Sequence, residues 1–174
     1  MSTPSQSPAL YTSGNGVATI TLTVNDGTLA TLEDFTLTVT GTATETWRFD
    51  RFGTTANSGC AADGANPDGD AWSNAAEYVL GTDPLTPNAG LTLDSAAAVS
   101  GGVQVTFYAR QAAGLGYAGL TRYFDVESAI ALSGASWSGV AGRTGIVGSN
   151  QTVTVTLPLD GPRRFYQVKA RLQE

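Results

Sequence analysis

Residues 66–77 read NPDGDAWSNAAE, and the rest of the chain is organised around them. Counted from Asn66, side-chain oxygens fall at positions 1, 3, 5, 9 and 12, which are Asn66, Asp68, Asp70, Asn74 and Glu77. Position 7 is Trp72, which offers its backbone carbonyl. The stretch interrupts the two-residue alternation that marks strands on either side of it.

Alternating oxygens closed by a carboxylate one helical turn later are the ligand spacing of an EF-hand-type loop, in which a tight turn wraps a hard cation in oxygen. Asp68, Asp70 and Glu77 give the shell a formal charge of −3, enough to outweigh a divalent ion. Calcium (Ca2+) suits such a set better than magnesium, which keeps more water and demands stricter geometry. Asn66 at position 1 removes a charge, and Ala71 stands at position 6, where the sharp turn wants glycine. A left-handed Ala71 costs about 1 kcal/mol, so the expected affinity is in the range of about 10⁻⁴ to 10⁻³ M. Asp63 and Asp83 flank the loop as further candidate ligands or as turn and cap residues. The bland reading of the whole stretch is an acidic surface loop whose Asp and Asn residues cap turns and helices.

Helix signals bracket the loop. Thr42 with Glu45 three positions later is a capping-box pattern opening TETWRFDRF, and Gly53 stops that helix. A second short helix is expected from Asn74 to Leu80, ended by Gly81 and followed by the turn-former Asp83-Pro84.

Further out, strand patterns take over. VATITLTV (17–24) and DFTLTVT (34–40) alternate β-branched and polar positions, with the turn pair Asp26-Gly27 between them. They read as a hairpin or as strands of two sheets. A lone hairpin is marginal in water, so this segment must pack either on its own C-terminal sheet or on a neighbouring copy. From residue 91 onward GLTLD, VQVTFYAR (103–110), RYFDVESA (122–129), ASWSGV (135–140), TVTVTLPL (152–159) and RRFYQVKARL (163–172) read as six strands. The expected fold is mainly β: an N-terminal strand pair (1–42), a calcium-loop segment with two short helices (43–90), and a small β-sandwich of immunoglobulin or fibronectin type (91–174).

Inventory removes most catalytic chemistries. The 174 residues contain no His and a single cysteine, Cys60, so a Ser-His-Asp triad, a Cys-His dyad and an intrachain disulfide are out of reach. Net charge is −6, which argues against a nucleic-acid partner, since neutralising phosphates takes clustered Lys and Arg. Charge is unevenly spread: residues 1–90 carry ten acids against two bases, and residues 91–174 five acids against seven bases. MSTPSQSPALYTSGN has no basic or apolar leader pattern and no apolar run approaches a membrane span. If the protein is exported, the expectation is a mature piece of a longer chain.

The stretch WRFDRFGTTANSGCAADGANPDGDAWSNAAEYVLGTDPLTP resembles the thrombospondin type 3-like calcium repeat, with its DPDGDGxxNxxEYxxGTDP pattern, found near the C-termini of large secreted bacterial proteins, notably in Verrucomicrobia and Planctomycetes. Carried over by position, that resemblance implies metal ligands at Asp68, Asp70, Asn74 and Glu77, with Asn66 in place of the usual Asp and Ala71 in place of the usual Gly. Residues 17–42 are similar to the last two strands of cadherin-like or immunoglobulin-like repeats in such proteins. Residues 91–174 resemble the small β-sandwich that often closes them.

These readings point to a non-enzymatic, secreted, calcium-stabilised structural or adhesive module of an extracellular or cell-surface protein, self-associating by strand addition into filaments if its N-terminal strands do not fold back on their own chain. A carbohydrate-binding module is the alternative, meeting polysaccharide through Trp72, Tyr117, Tyr123 or Trp137, whereas Trp47 and Phe124 read as core. Asp125 and Glu127 share one strand face and read as a solvated edge rather than an acid and base. Cys60, between small neighbours, reads as a buried thiol.

Overall fold

A computed structural model of the chain describes residues 16–25, 30–39, 41–134, 136–160 and 163–174, the first two stretches through their backbone. The Asp26-Gly27 turn, Ala135 and the Gly161-Pro162 pair lie outside the described residues. The molecule is mainly β with two short helices.

The N-terminal alternation resolves as a hairpin. Strand β1 (Gly16–Asn25) runs antiparallel to β2 (Ala30–Val39), in unbroken register from Gly16 opposite Val39 to Asn25 opposite Ala30. Among the described residues, neither strand pairs with any other.

Helix α1 (Ala43–Phe52) starts and stops where its cap residues dictate. The Thr42 hydroxyl accepts from the Glu45 N–H at 3.2 Å and the Glu45 carboxylate accepts from the Thr42 N–H at 2.8 Å, so two orphan donors are satisfied reciprocally. Gly53 closes it in the left-handed conformation, φ 71°. Helix α2 (Asn74–Leu80) repeats the plan with Ser73 as N-cap and Gly81, φ 73°, as its stop.

Two antiparallel sheets follow. The first has the order β3 (Leu93–Val99), β4 (Gly102–Ala109), β8 (Gln151–Leu157). In the second, β5 (Thr121–Ala129) is central, with β9 (Phe165–Gln173) along one side and the short β6 (Ser138–Gly139) and β7 (Ile146–Val147) along the other. Alternation on β4, β5 and β8 sends Val105, Phe107, Ala109, Val155 and Leu157 of one sheet against Phe124 and Val126 of the other, with the Phe107 and Phe124 rings 5.7 Å apart. The even-numbered residues Tyr166, Val168 and Ala170 of β9 also pack on this core.

The sheets differ from expectation in four places. The first strand starts at Leu93 rather than Gly90, because Gly90 is held at φ 63° against the Trp72 ring and Leu91 turns into the core. Its ladder then runs through an alanine-rich stretch that carries little β-propensity. The strand expected over 135–140 is reduced to Ser138–Gly139, and Ile146–Val147 adds a bridge that its short span concealed. Asp125 and Glu127 lie on the central strand rather than an edge, where Asp125 pairs with Arg171 at 2.8 Å and Glu127 accepts from Gln167 at 2.7 Å.

One buried cation ties the helical segment to the sheets. Arg122 on β5 is 1% exposed; it donates to the carbonyls of Val79 and Gln111 at 2.6 Å each and lies over the Tyr117 ring. Val79 is in the last turn of α2, so the guanidinium satisfies a carbonyl that the helix leaves unpaired and opposes the negative end of its dipole. Gly81 is required here twice over, since a Cβ would lie 2.5 Å from the Arg122 guanidinium. Alongside, the Tyr117 and Tyr78 rings stack at 5.0 Å and Trp47 meets Tyr78 edge-on at 5.4 Å. Burial pushes the Tyr117 phenol up to about 12, and its hydroxyl donates to the Tyr78 carbonyl at 2.8 Å.

Candidate metal centre

The loop before α2 is shaped by its own polar side chains. Asn66 accepts from the Gly69 N–H at 3.0 Å and donates to the Asp70 carbonyl at 2.6 Å. Asp68 accepts from the Asp70 N–H at 3.2 Å and Asp70 from the Trp72 N–H at 2.6 Å. These are successive side-chain-to-backbone turns of the kind Asx residues favour. The glycine that takes the left-handed conformation is Gly69, φ 76°, and among the described residues the only non-glycine with positive φ is Asn150. The expected strain at Ala71 is therefore absent.

Helix α2 then brings its first turn over the loop. Asp68, Asp70 and Glu77 each place a carboxylate oxygen within 4.8 Å of the others, so the triad can hold a metal ion. Glu77 and Asn74 are fully buried at 0% exposed. Asn88 and Thr82, reaching back from the turn after α2, donate to Glu77 Oε1 at 2.9 and 3.1 Å, and the Asn88 N–H donates to Asp70 Oδ2 at 3.0 Å. Asn74 is fixed through its amide, which donates to the carbonyls of Cys60 and Ala62 at 2.8 and 2.7 Å.

What these bonds leave over is informative. Asp68 Oδ2, Asn74 Oδ1 and Glu77 Oε2 are buried and find no hydrogen-bond partner among the described residues. Leaving a buried polar atom unpaired costs about 1–3 kcal/mol, more when charged. Three such oxygens, all on residues of one twelve-residue spacing, are the donors a hard cation takes. Burial raises the Glu77 carboxyl above its ordinary value, Asn88 and Thr82 work against that, and Asp68 and Asp70 add to it. The residues therefore fit a cation, with Asn88 and Thr82 orienting the ligand oxygen they do not leave free.

The other sequence candidates are placed differently. Asn66 spends both ends of its side chain on the loop backbone. Trp72 contributes its N–H to Asp70. Asp63 receives Arg48 at 2.6 Å and Asn57 at 2.9 Å, an ion pair that holds its carboxyl below the usual range. Asp83 accepts from the Leu85 N–H at 3.1 Å as a turn residue. Asp83 thus serves as a turn residue and Asp63 as an ion-pair partner, and both lie outside the carboxylate triad. Cys60 is exposed rather than buried, because the 3₁₀ turn Gly59–Ala61 turns its neighbour Ala61 inward instead.

Sequence reasoning missed Asn88 and Arg122. Neither lies in the loop spacing, and the one available signal was an Asn in the turn-rich TPNAG and a lone Arg on a strand. Of the aromatic candidates for a sugar platform, Tyr117 is buried against Tyr78 and Tyr123 lies under the Arg171 guanidinium at 4.7 Å, while Trp72 and Trp137 are half-buried. No helix among the described residues is long and apolar enough to cross a membrane. Comparison of the chain with protein-family models, with curated proteins and with solved structures gives no match, so the resemblance to a calcium repeat rests on the residues themselves.

Proposed function

We propose that this chain is a calcium-stabilised structural module of an extracellular or cell-surface protein, with no catalytic role of its own. The observation that carries the reading is the carboxylate triad of Asp68, Asp70 and Glu77, with buried, unpartnered oxygens on Asp68 and Glu77. An all-oxygen donor set drawn from a loop and from the first turn of α2 suits calcium's flexible shell better than magnesium's octahedron. Calcium, when bound, supplies the positive charge on which these oxygens converge.

The structural role follows from where α2 is anchored. Its N-terminal turn carries Asn74 and Glu77, and its C-terminal turn is held by Arg122 of β5. Ordering the loop therefore orders the contact between the helical segment and the sheets, here read as an immunoglobulin- or fibronectin-like sandwich. Binding to the folded state alone raises stability by mass action.

Thermal unfolding in EDTA, in millimolar calcium and in millimolar magnesium tests this. The expected result is a rise in midpoint specific to calcium, abolished in an Asp68→Ala/Asp70→Ala double variant. An unchanged midpoint in calcium would overturn the proposal.

A further inference from the structure

Where the C-terminal end of β5 lies between β6 and β9, the structure leaves a cavity whose lining includes none of the calcium-loop residues. Ser128 of β5 stands opposite Ser138 of β6 on one side and Tyr166 of β9 on the other, and all three line it together with Thr156 of β8. Its volume, about 440 Å³, falls within the range of about 300–1,000 Å³ typical of small-ligand pockets. Two arginines share its wall, Arg143 from the loop between β6 and β7 and Arg164 from the residue before β9.

Both cations are held in place with donors to spare. The Arg143 backbone is fastened on both sides, its carbonyl accepting from the Val126 N–H at 2.8 Å and its N–H donating to the Val140 carbonyl at 2.9 Å. Its side chain is half-buried and donates through Nη1 to the Gly142 carbonyl at 3.0 Å. Among the described residues no carboxylate pairs with it. Arg164 has a side chain 26% exposed, which donates through Nη1 to the Ser128 hydroxyl at 3.2 Å and through Nη2 to Asp160 at 2.8 Å. The Nε of each arginine is buried without a hydrogen-bond partner among the described residues. Charge drawn partly out of water costs free energy unless it is paired, so this wall carries a deficit that an anion would remove.

The charge balance limits which anion. Arg143 and Arg164 against Asp160 leave one net positive charge on the lining, which matches a singly charged oxyanion and not a phosphate dianion. A guanidinium fork meets the oxygens of a carboxylate or a sulfate two at a time. The rest of the lining suits a polyol. The hydroxyls of Ser138 and Thr156 and the Asp160 carboxylate, 60% exposed, can pair with ligand hydroxyls, while Val140 and Pro158 offer apolar surface to C–H faces. We propose that this cavity binds a sugar unit carrying one negative charge, a uronate or a sulfated hexose. Its lining contains no proposed calcium ligand and none of Trp72, Tyr117, Tyr123 and Trp137, so it stands or falls separately from the calcium reading.

Titration of the full chain at matched ionic strength, read by the arginine Nε–H signals in NMR, tests it. The probes are glucuronate, glucose 6-sulfate, glucose, acetate and inorganic phosphate. Glucuronate, glucose 6-sulfate or both should shift the Arg143 and Arg164 signals and bind more tightly than glucose, acetate or phosphate, and which of the two binds tells carboxylate from sulfate. Arg143→Gln should weaken that binding about tenfold or more, and Arg143→Lys, which keeps the charge and loses the fork, should weaken it less. Should Arg143→Gln unfold the chain, Ser138→Ala at an exposed position decides, with an expected loss of a few fold. The proposal is overturned if neither charged sugar shifts these signals, if acetate or phosphate binds as tightly as they do, or if the folded variants bind as the parent does.

Discussion

Among the described residues between 41 and 90 the buried side chains are Trp47, Ala61 and Pro84 together with the polar Asn74, Glu77, Arg48, Thr46 and Thr82; between 91 and 174 they are Val105, Phe107, Ala109, Tyr117, Phe124, Val126, Ala129, Val155 and Leu157, with Arg122 and Ser128. The sheets hold themselves by apolar burial, which is non-directional and asks for no counter-ion. The helical segment adds to its Trp47 and Tyr78 ring contacts a set of directed polar bonds on Asp68, Asp70 and Glu77, and unpaired buried oxygens are a cost until something meets them. One region therefore answers to packing volume and the other to charge. Arg122 is where the two meet.

The largest blow to the contrast should come from the packed side. Phe107→Ala removes a fully buried ring from the core and should cost about 3–5 kcal/mol, by the same amount in EDTA and in calcium. A loss that depends on calcium would show that the two regions are not separately built. Next comes the joint: Arg122→Ala leaves the Val79 and Gln111 carbonyls unpaired and should cost about 3 kcal/mol, while shrinking the stabilisation that calcium confers. Denaturant unfolding of each variant with and without calcium reads both effects.

Smaller effects separate the regions more finely. Asn88→Ala removes a side-chain bond to Glu77 and should weaken calcium affinity about tenfold, leaving amide exchange of β4 and β8 unchanged. Acidification in EDTA should act on the two regions with opposite sign. The Glu77 carboxyl is raised by burial, so the metal-free fold binds its proton more tightly than the unfolded chain does. Stability of the helical segment should then increase as pH falls from neutral through that raised value, levelling off below the ordinary glutamate range. Burial also raises Asp125, but the Gly145 N–H and Arg171 outweigh it and hold the carboxyl low. Its contribution to the sheets is complete above the ordinary aspartate range and is lost only as pH falls through the depressed value. Hydrogen exchange against pH should show the segment tightening before the sheets loosen. In calcium the first change should reverse, since protons compete for the ligand oxygens.

Much of this was legible because short-range chemistry wrote it. The Thr42 and Glu45 pair, Gly53 and Gly81 fix helix ends through bonds spanning three or four residues, and the alternation on β4, β5 and β8 fixes a buried face by periodicity. The loop spacing gave the triad and Asn74 for the same reason. What stayed hidden depends on distant partners. Arg122 finds its carbonyl 43 residues away, Asn88 its carboxylate 11 residues away, and neither residue type announces its target. Strand β3 was misplaced because Ala96, Ala97 and Ala98 take strand geometry from β4 rather than from their own propensity. The strain expected of Ala71 vanished because Gly69 makes the turn two residues earlier.

The most direct measurement is equilibrium dialysis of calcium against the intact chain, run beside a Glu77→Gln variant. One bound calcium per chain, retained in excess magnesium and lost in the variant, is the predicted result. Retention no greater than that of the variant would contradict the claim that the buried oxygens of Asp68, Asn74 and Glu77 form a calcium shell.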